Sequence, residues 1–139
     1  MYKLTGSKPE IDSYPFTTKR INVAYIKEDK KKIQLLDVPG TLNRFNKMND
    51  IEKQAELVIN YLADLIVYVF DLTENYPLEN QVKLFDNIKK LNKKIIVYLS
   101  KTDLIEEKIV NNFKNKLKNH EIVNNIKELK NKLLINVST

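Results

Sequence analysis

Leu65-Ile66-Val67-Tyr68-Val69-Phe70 is apolar throughout and stops at Asp71, and Ile95-Ile96-Val97-Tyr98-Leu99 repeats the pattern and stops at Ser100. Short unbroken apolar runs rich in β-branched residues read as strands covered on both faces, as in a parallel sheet. Leu133-Leu134-Ile135-Asn136-Val137 reads as a third strand of this kind, and Ile33-Gln34-Leu35-Leu36 as a fourth that ends at Asp37. Ile21-Asn22-Val23-Ala24-Tyr25-Ile26 alternates instead, which places Ile21, Val23 and Tyr25 on one side and predicts an edge strand with one wet face. The charged stretch Glu28-Asp29-Lys30-Lys31-Lys32 then turns that strand into its neighbour, as a hairpin.

Helical periods fill the gaps. Ile51, Ala55, Val58 and Leu62 repeat at helical spacing behind Asn49 and Glu52, a capping pair. Leu78, Val82, Phe85 and Ile88 repeat behind Pro77, Ile105, Ile109, Phe113 and Leu117 behind Asp103, and Ile122, Ile126 and Leu129 form a shorter stripe. Strands alternating with helices predict an α/β fold: a mainly parallel sheet covered on both faces, with one antiparallel edge hairpin.

Composition bounds what such a fold does. The 139 residues amount to one domain, and 42% hydrophobic residues suffice for a core. The absence of cysteine excludes a disulfide partner, a thiolate metal site and a cysteine nucleophile. The single histidine, His120, lies in the polar stretch Lys118-Asn119-His120-Glu121 and reads as a solvated surface residue. No apolar run approaches the roughly 20 residues of a membrane helix and Met1-Tyr2-Lys3-Leu4-Thr5-Gly6 has no apolar leader, so the expectation is a soluble, cytoplasmic protein without a membrane partner. The net charge of +6 comes from 22 Lys and 2 Arg beside 17 Asn and 15 Ile, all three enriched types having AT-rich codons. It is compatible with an RNA partner without requiring one.

In an open α/β sheet, ligands sit beyond the carboxyl ends of the strands. Asp37-Val38-Pro39-Gly40, Asp71-Leu72-Thr73-Glu74, Ser100-Lys101-Thr102-Asp103 and Ser138-Thr139 stand there, and Tyr14-Pro15-Phe16-Thr17-Thr18 precedes the hairpin. Singly, each has a plain reading: Asp103 as a helix cap, Ser138-Thr139 as a frayed tail, Thr17-Thr18 as the start of a strand. In this order and at these strand boundaries, they resemble the guanine-nucleotide boxes of a GTPase domain.

That resemblance implies a P-loop GTPase-like three-layer fold and a role for each box, with GTP or GDP and Mg²⁺ as ligands. Thr18 would offer Mg²⁺ a hydroxyl and Asp37 would hold one of its waters, beside Thr17. The Gly40 N–H, after Val38 and Pro39, would approach the γ-phosphate because no Cβ blocks it. Asp103 would accept two hydrogen bonds from guanine N1 and N2, a paired donor edge that adenine lacks. The stem of Lys101 would pack on the base, next to Thr102, and the Ser138-Thr139 backbone would face O6. Ser100 stands where Asn is usual, which loosens a tether between loops.

Tyr14-Pro15-Phe16-Thr17-Thr18, preceded by Lys8-Pro9-Glu10, resembles the Obg-like and Nog-type GTPases. The stretch Asp71-Leu72-Thr73-Glu74-Asn75-Tyr76-Pro77-Leu78-Glu79-Asn80-Gln81 is similar to the segment that runs from strand to helix in the Nog-type group. The resemblance implies a part in assembly of the large ribosomal subunit, with ribosomal RNA or the pre-ribosomal subunit as partner. Thr41 and Leu42 follow Gly40, where no side chain can orient the attacking water, which implies slow hydrolysis. No residue in the chain presents itself as a catalytic group.

The 139 residues contain no G-x-x-x-x-G-K-[ST]. By the family pattern, residues 1–139 make a partial GTPase domain, truncated before the phosphate loop and running from the end of the first helix to the last guanine box. The strand expected at the centre of the sheet is then missing, and the chain alone is expected to be inactive as a GTPase. The alternative reading is a non-catalytic remnant or basic binding module that binds no nucleotide on its own.

Overall fold

A computed structural model describes residues 10–12, 21–28, 30–37, 57 and 59–136. The chain divides into two compact units, residues 64–129 and residues 1–63 together with 130–139.

The unit at 64–129 is built on the two apolar runs. They form strands β4 (Leu65–Asp71) and β5 (Lys94–Ser100), which pair in parallel with Leu65 opposite Lys94 and Asp71 opposite Ser100. A third strand, β6 (Glu121–Val123), pairs in parallel with β5, giving the order β4-β5-β6. Two helices cover one face: α1 (Leu78–Lys89) and α2 (Glu107–Lys116). Tyr68, Phe70, Val97 and Leu99 from the sheet meet Phe85 of α1 and Val110 and Phe113 of α2 in one core. Phe70 is its hub, edge-on to Tyr68, Phe85 and Phe113 with ring centres 4.8 to 5.3 Å apart. This geometry sets the positive ring edges against the negative faces.

Local chemistry sets the helix ends. The Glu74 carboxylate accepts the first free N–H of α1, from Leu78, at 3.2 Å. Past the end of α1 the chain turns through Asn92, in the left-handed region at φ 56°, a conformation asparagine tolerates better than most residues. Helix α3 (Ile126–Asn136) is capped by Asn125, whose Oδ1 accepts from Lys127 N at 2.8 Å and Glu128 N at 3.3 Å.

In the other unit, β1 (Glu10–Asp12), β2 (Ile21–Glu28) and β3 (Lys31–Asp37) form an antiparallel sheet in that order. The hairpin closes with Glu28 opposite Lys31, and its other end brings Asn22 opposite Asp37. The Lys31 ammonium donates to the Leu134 carbonyl of α3 at 2.8 Å, favourable for a cation near a helix carboxyl end.

Several expectations are corrected. Residues 133–136 of the expected strand are helical instead, the last turn of a helix in which Leu129 and Leu133, one helical turn apart, are both buried, while residue 137 lies outside the described residues. The last parallel strand is instead the short β6, where the sequence suggests the helical residue Ile122. Of the stripe expected for α2, Phe113 is buried and Ile105 and Leu117 pack against the core, but Ile109 is half-exposed and its neighbour Val110 is buried in its stead. Strand β4 buries Tyr68 and Phe70 on one side, whereas on the other Leu65 and Val67 are partly buried and Val69 is exposed. On β2, Val23, Ala24 and Ile26 are buried and Tyr25 only partly so, its ring facing the Lys32 ammonium at 4.4 Å. The antiparallel hairpin and the parallel sheet are present as expected, the hairpin pairing with β1 and the parallel strands with one another. His120 is not a solvated residue: it is half-buried, edge-on to Phe85 at 5.2 Å. The helix expected from Ile51 lies largely outside the described residues, of which 57 and 59–62 are helical.

Candidate functional site

The parallel register delivers Asp71 and Ser100 side by side at the carboxyl end of the β4–β5 sheet. Ser100 donates its hydroxyl to the Phe70 carbonyl at 3.1 Å, stitching the two strand ends together. The next residue, Lys101, takes the left-handed conformation at φ 56° and ψ 30°, which turns the chain sharply off the sheet. A non-glycine residue in this region carries a cost of roughly 1–2 kcal/mol, and such residues cluster at functional turns. Here the side chain is held: Lys101 Nζ lies 2.9 Å from Asp71 Oδ2. A 3₁₀ turn follows over Thr102–Leu104, closed by Leu104 N to Lys101 O at 3.0 Å.

Asp71 is the centre of this corner. Its Oδ1 accepts from the Thr73 N–H at 2.9 Å and from the Thr73 hydroxyl. The Thr73 hydrogen bond first, and then Lys101, hold its carboxyl below the usual carboxylate range. Its backbone is also gripped. Gln81 accepts from Asp71 N at 2.8 Å and donates to Asp71 O at 2.9 Å, and its amide donates again to Tyr76 O at 2.6 Å. The Gln81 side chain thereby mimics a neighbouring strand for the last residue of β4. Its own carbonyl accepts from the Tyr68 hydroxyl at 2.7 Å. Burial, with Tyr76 and Asp86 adding repulsion, pushes the Tyr68 hydroxyl above its ordinary range, so it acts as a donor.

Asp103 is exposed and takes no hydrogen bond or ion pair from the described residues. It does not cap a helix: α2 begins only at Glu107, and the 3₁₀ turn has no side-chain cap. A carboxylate exposed on this turn can accept hydrogen bonds from donors that approach from outside.

The structure thus brings Ser100, Lys101, Thr102 and Asp103 onto one turn, beside Asp71. Asp37 closes β3 in the other unit and is exposed. Thr17, Thr18, Val38, Pro39, Gly40, Ser138 and Thr139 lie outside the described residues. Among the described residues no group of three or more His, Cys, Asp or Glu could hold a metal ion, and no helix is long and apolar enough to cross a membrane. Gln81 is the functional candidate that the residue pattern leaves without a role. It stands at the end of the Nog-type segment, but a glutamine in the first turn of a helix ordinarily faces water.

Residues 50–103 match the family model of nucleolar GTP-binding protein 1, covering β4, α1, β5 and the Lys101 turn. An uncharacterized protein of Methanocaldococcus jannaschii is 50% identical over 112 residues, 78% of this chain and 31% of its own length. The nucleolar GTP-binding protein 1 of Saccharomyces cerevisiae is 38% identical over 107 residues, 73% of this chain and 16% of its own. The chain therefore spans between about a sixth and a third of these relatives. Among solved structures, the G domain of the Thermotoga maritima FeoB iron transporter superposes with a TM-score of 0.74 at 22% identity, over 99% of this chain and 88% of that one. Era in complex with MgGDPNP and a piece of 16S ribosomal RNA superposes with a TM-score of 0.71 at 25% identity, over 99% and 51%. The fold is that of P-loop GTPase domains. The expectation of a cytoplasmic protein is overturned by relatives named nucleolar, in yeasts and in Drosophila melanogaster. With the family's segment intact from β4 to Asp103 and relatives matched over three quarters of its length, the chain belongs to the Nog-type GTPase family.

Proposed function

We propose that this chain carries the guanine-reading part of a GTP-binding domain, with Asp103 as the residue that selects the base. The observation behind this reading is the contrast between two side chains on one turn. Lys101 has its ammonium already engaged by Asp71, whereas Asp103 is exposed and unpartnered. An engaged ammonium holds the Lys101 stem in place as an apolar rest for a base, and the free carboxylate accepts the N1 and N2 hydrogens of guanine. Adenine offers no such pair, so the turn favours GTP and GDP over adenine nucleotides. The names of the relatives and the nucleotide in the Era complex support this choice.

The remaining boxes extend the reading. By the same resemblance, the Ser138-Thr139 backbone would read guanine O6, Thr18 and Asp37 would hold Mg²⁺, and Thr17, Val38, Pro39 and Gly40 would serve the γ-phosphate. Mg²⁺ supplies neutralisation of phosphate charge. Thr41 and Leu42 stand after Gly40 with no glutamine amide to orient the attacking water, so hydrolysis in a domain that includes a phosphate loop is slow. The biological partner is the large ribosomal subunit or its RNA, a reading supported by the nucleolar relatives, the Era–RNA complex and the net charge of +6.

Competition binding tests the reading. No G-x-x-x-x-G-K-[ST] lies in these 139 residues, so the lost charge-assisted hydrogen bonds weaken binding by at least ~10⁴-fold relative to a domain that has them. Saturation-transfer NMR with millimolar GDP and ADP suits this range. Transfer to the GDP base that millimolar ADP fails to displace is expected; equal displacement refutes the assignment of Asp103.

A further inference from the structure

We infer that Gln81 is a positioning residue for base selection, acting from α1 through the Asp71 peptide and the Asp71–Lys101 pair on the turn that presents Asp103. The inference rests on the guanine reading above. Gln81 is a buried polar side chain, 6% exposed, and the other buried residues among those described are apolar or aromatic. It spends its whole amide on backbone: Oε1 on Asp71 N, and Nε2 on both Asp71 O and Tyr76 O. Holding both polar groups of one peptide fixes the orientation of that residue, and so the direction in which the Asp71 carboxylate leaves the sheet. That carboxylate is the anchor of Lys101, which sits in a backbone conformation that a lysine does not favour by itself. The anchor offsets the cost, and the 3₁₀ turn bearing Asp103 begins at the anchored residue.

A purely structural glutamine would support the β4–α1 junction and leave ligand choice alone. The geometry points elsewhere, because the residue it grips is the one whose side chain crosses to the base-reading turn. Two further contacts fix Gln81 itself: the Tyr68 hydroxyl on its carbonyl and its place in the first turn of α1. The chain of contacts therefore runs from the buried core through the Asp71–Lys101 pair to the turn that bears the exposed Asp103.

The experiment compares the full chain with Gln81→Met and Lys101→Met, and with both together, by ligand-observed NMR with GDP and ADP at millimolar concentration. Gln81→Met keeps the volume and removes every amide contact; Lys101→Met is at an exposed position and leaves the core untouched. Near-ultraviolet circular dichroism of the aromatic core reports whether each variant is folded. The expected result is a loss of GDP-over-ADP preference of about 3- to 10-fold in folded Gln81→Met, and no further loss when it is added to Lys101→Met. Where Gln81→Met does not fold, Gln81→Glu replaces it: it keeps an acceptor for Asp71 N and loses the donors, and an intermediate loss of preference is expected. An unchanged preference in the folded Gln81 variant, or losses that add independently of Lys101→Met, overturns the inference and leaves the guanine reading standing. A wild-type chain with no preference for GDP overturns both.

Discussion

Lys101 and Asp71 meet at 2.9 Å across two neighbouring strand ends, thirty positions apart in the chain. The pair is half-exposed on the lysine side and 23% exposed on the aspartate side. It joins the β4 end to the turn after β5 and explains why a lysine keeps a left-handed backbone there.

The pairing gives stability a signature in pH. The Thr73 hydrogen bond and Lys101 hold the Asp71 carboxyl below its unfolded value. A group depressed in this way stabilises the fold above the unfolded value, and the contribution is lost as pH falls through the folded one. The Tm difference between wild type and Asp71→Asn is expected to be largest near neutrality and to shrink between about pH 5 and pH 2. A difference constant over that range would remove Asp71 as the source.

Tyr68→Phe isolates the link between β4 and α1. The ring stays in the aromatic core, while the hydroxyl that donates to Gln81 O is lost. Leaving that carbonyl with one partner fewer costs about 0.5–1.5 kcal/mol, read from the denaturant midpoint. Phe85→Ala, which empties a fully buried site of the same core, costs about 3–5 kcal/mol.

Asn125→Ala tests the identity of the last element. As the cap of α3 its loss costs about 1 kcal/mol and lowers helicity by circular dichroism. A strand over 133–137, as the apolar run suggests, would leave Asn125 without a capping role and the substitution silent.

What was legible in the residues follows from how many of them carried the signal. The runs of β4 and β5 are long, apolar and β-branched, and α1 has four apolar residues in phase, so burial decided their form. Strand β6 spans only Glu121–Val123, too short for a period, and its central Ile122 is equally good in a helix. Leu133-Leu134-Ile135 is apolar in either form; the deciding facts, the Asn125 cap and the burial of Leu129, lie upstream of the run. The Ser100-Lys101-Thr102-Asp103 stretch stands out in the sequence because each residue type has a chemical use, and the structure sets it on one turn beside Asp71. The grip of Gln81 was not legible, since it depends on where the backbone of Asp71 ends up in space.

The most direct measurement is the nucleotide preference of Asp103→Asn, by competition between GDP and xanthosine diphosphate. The substitution keeps size and turns one acceptor into a donor. The exposed side chain has no protein partner among the described residues to lose, so the fold is untouched. GDP binding is expected to weaken by roughly 1–3 kcal/mol, about 5- to 150-fold, while xanthosine diphosphate, with an acceptor where guanine has its amino group, binds more tightly than to wild type. Unchanged affinities for both nucleotides would contradict the assignment of Asp103 as the base-reading residue.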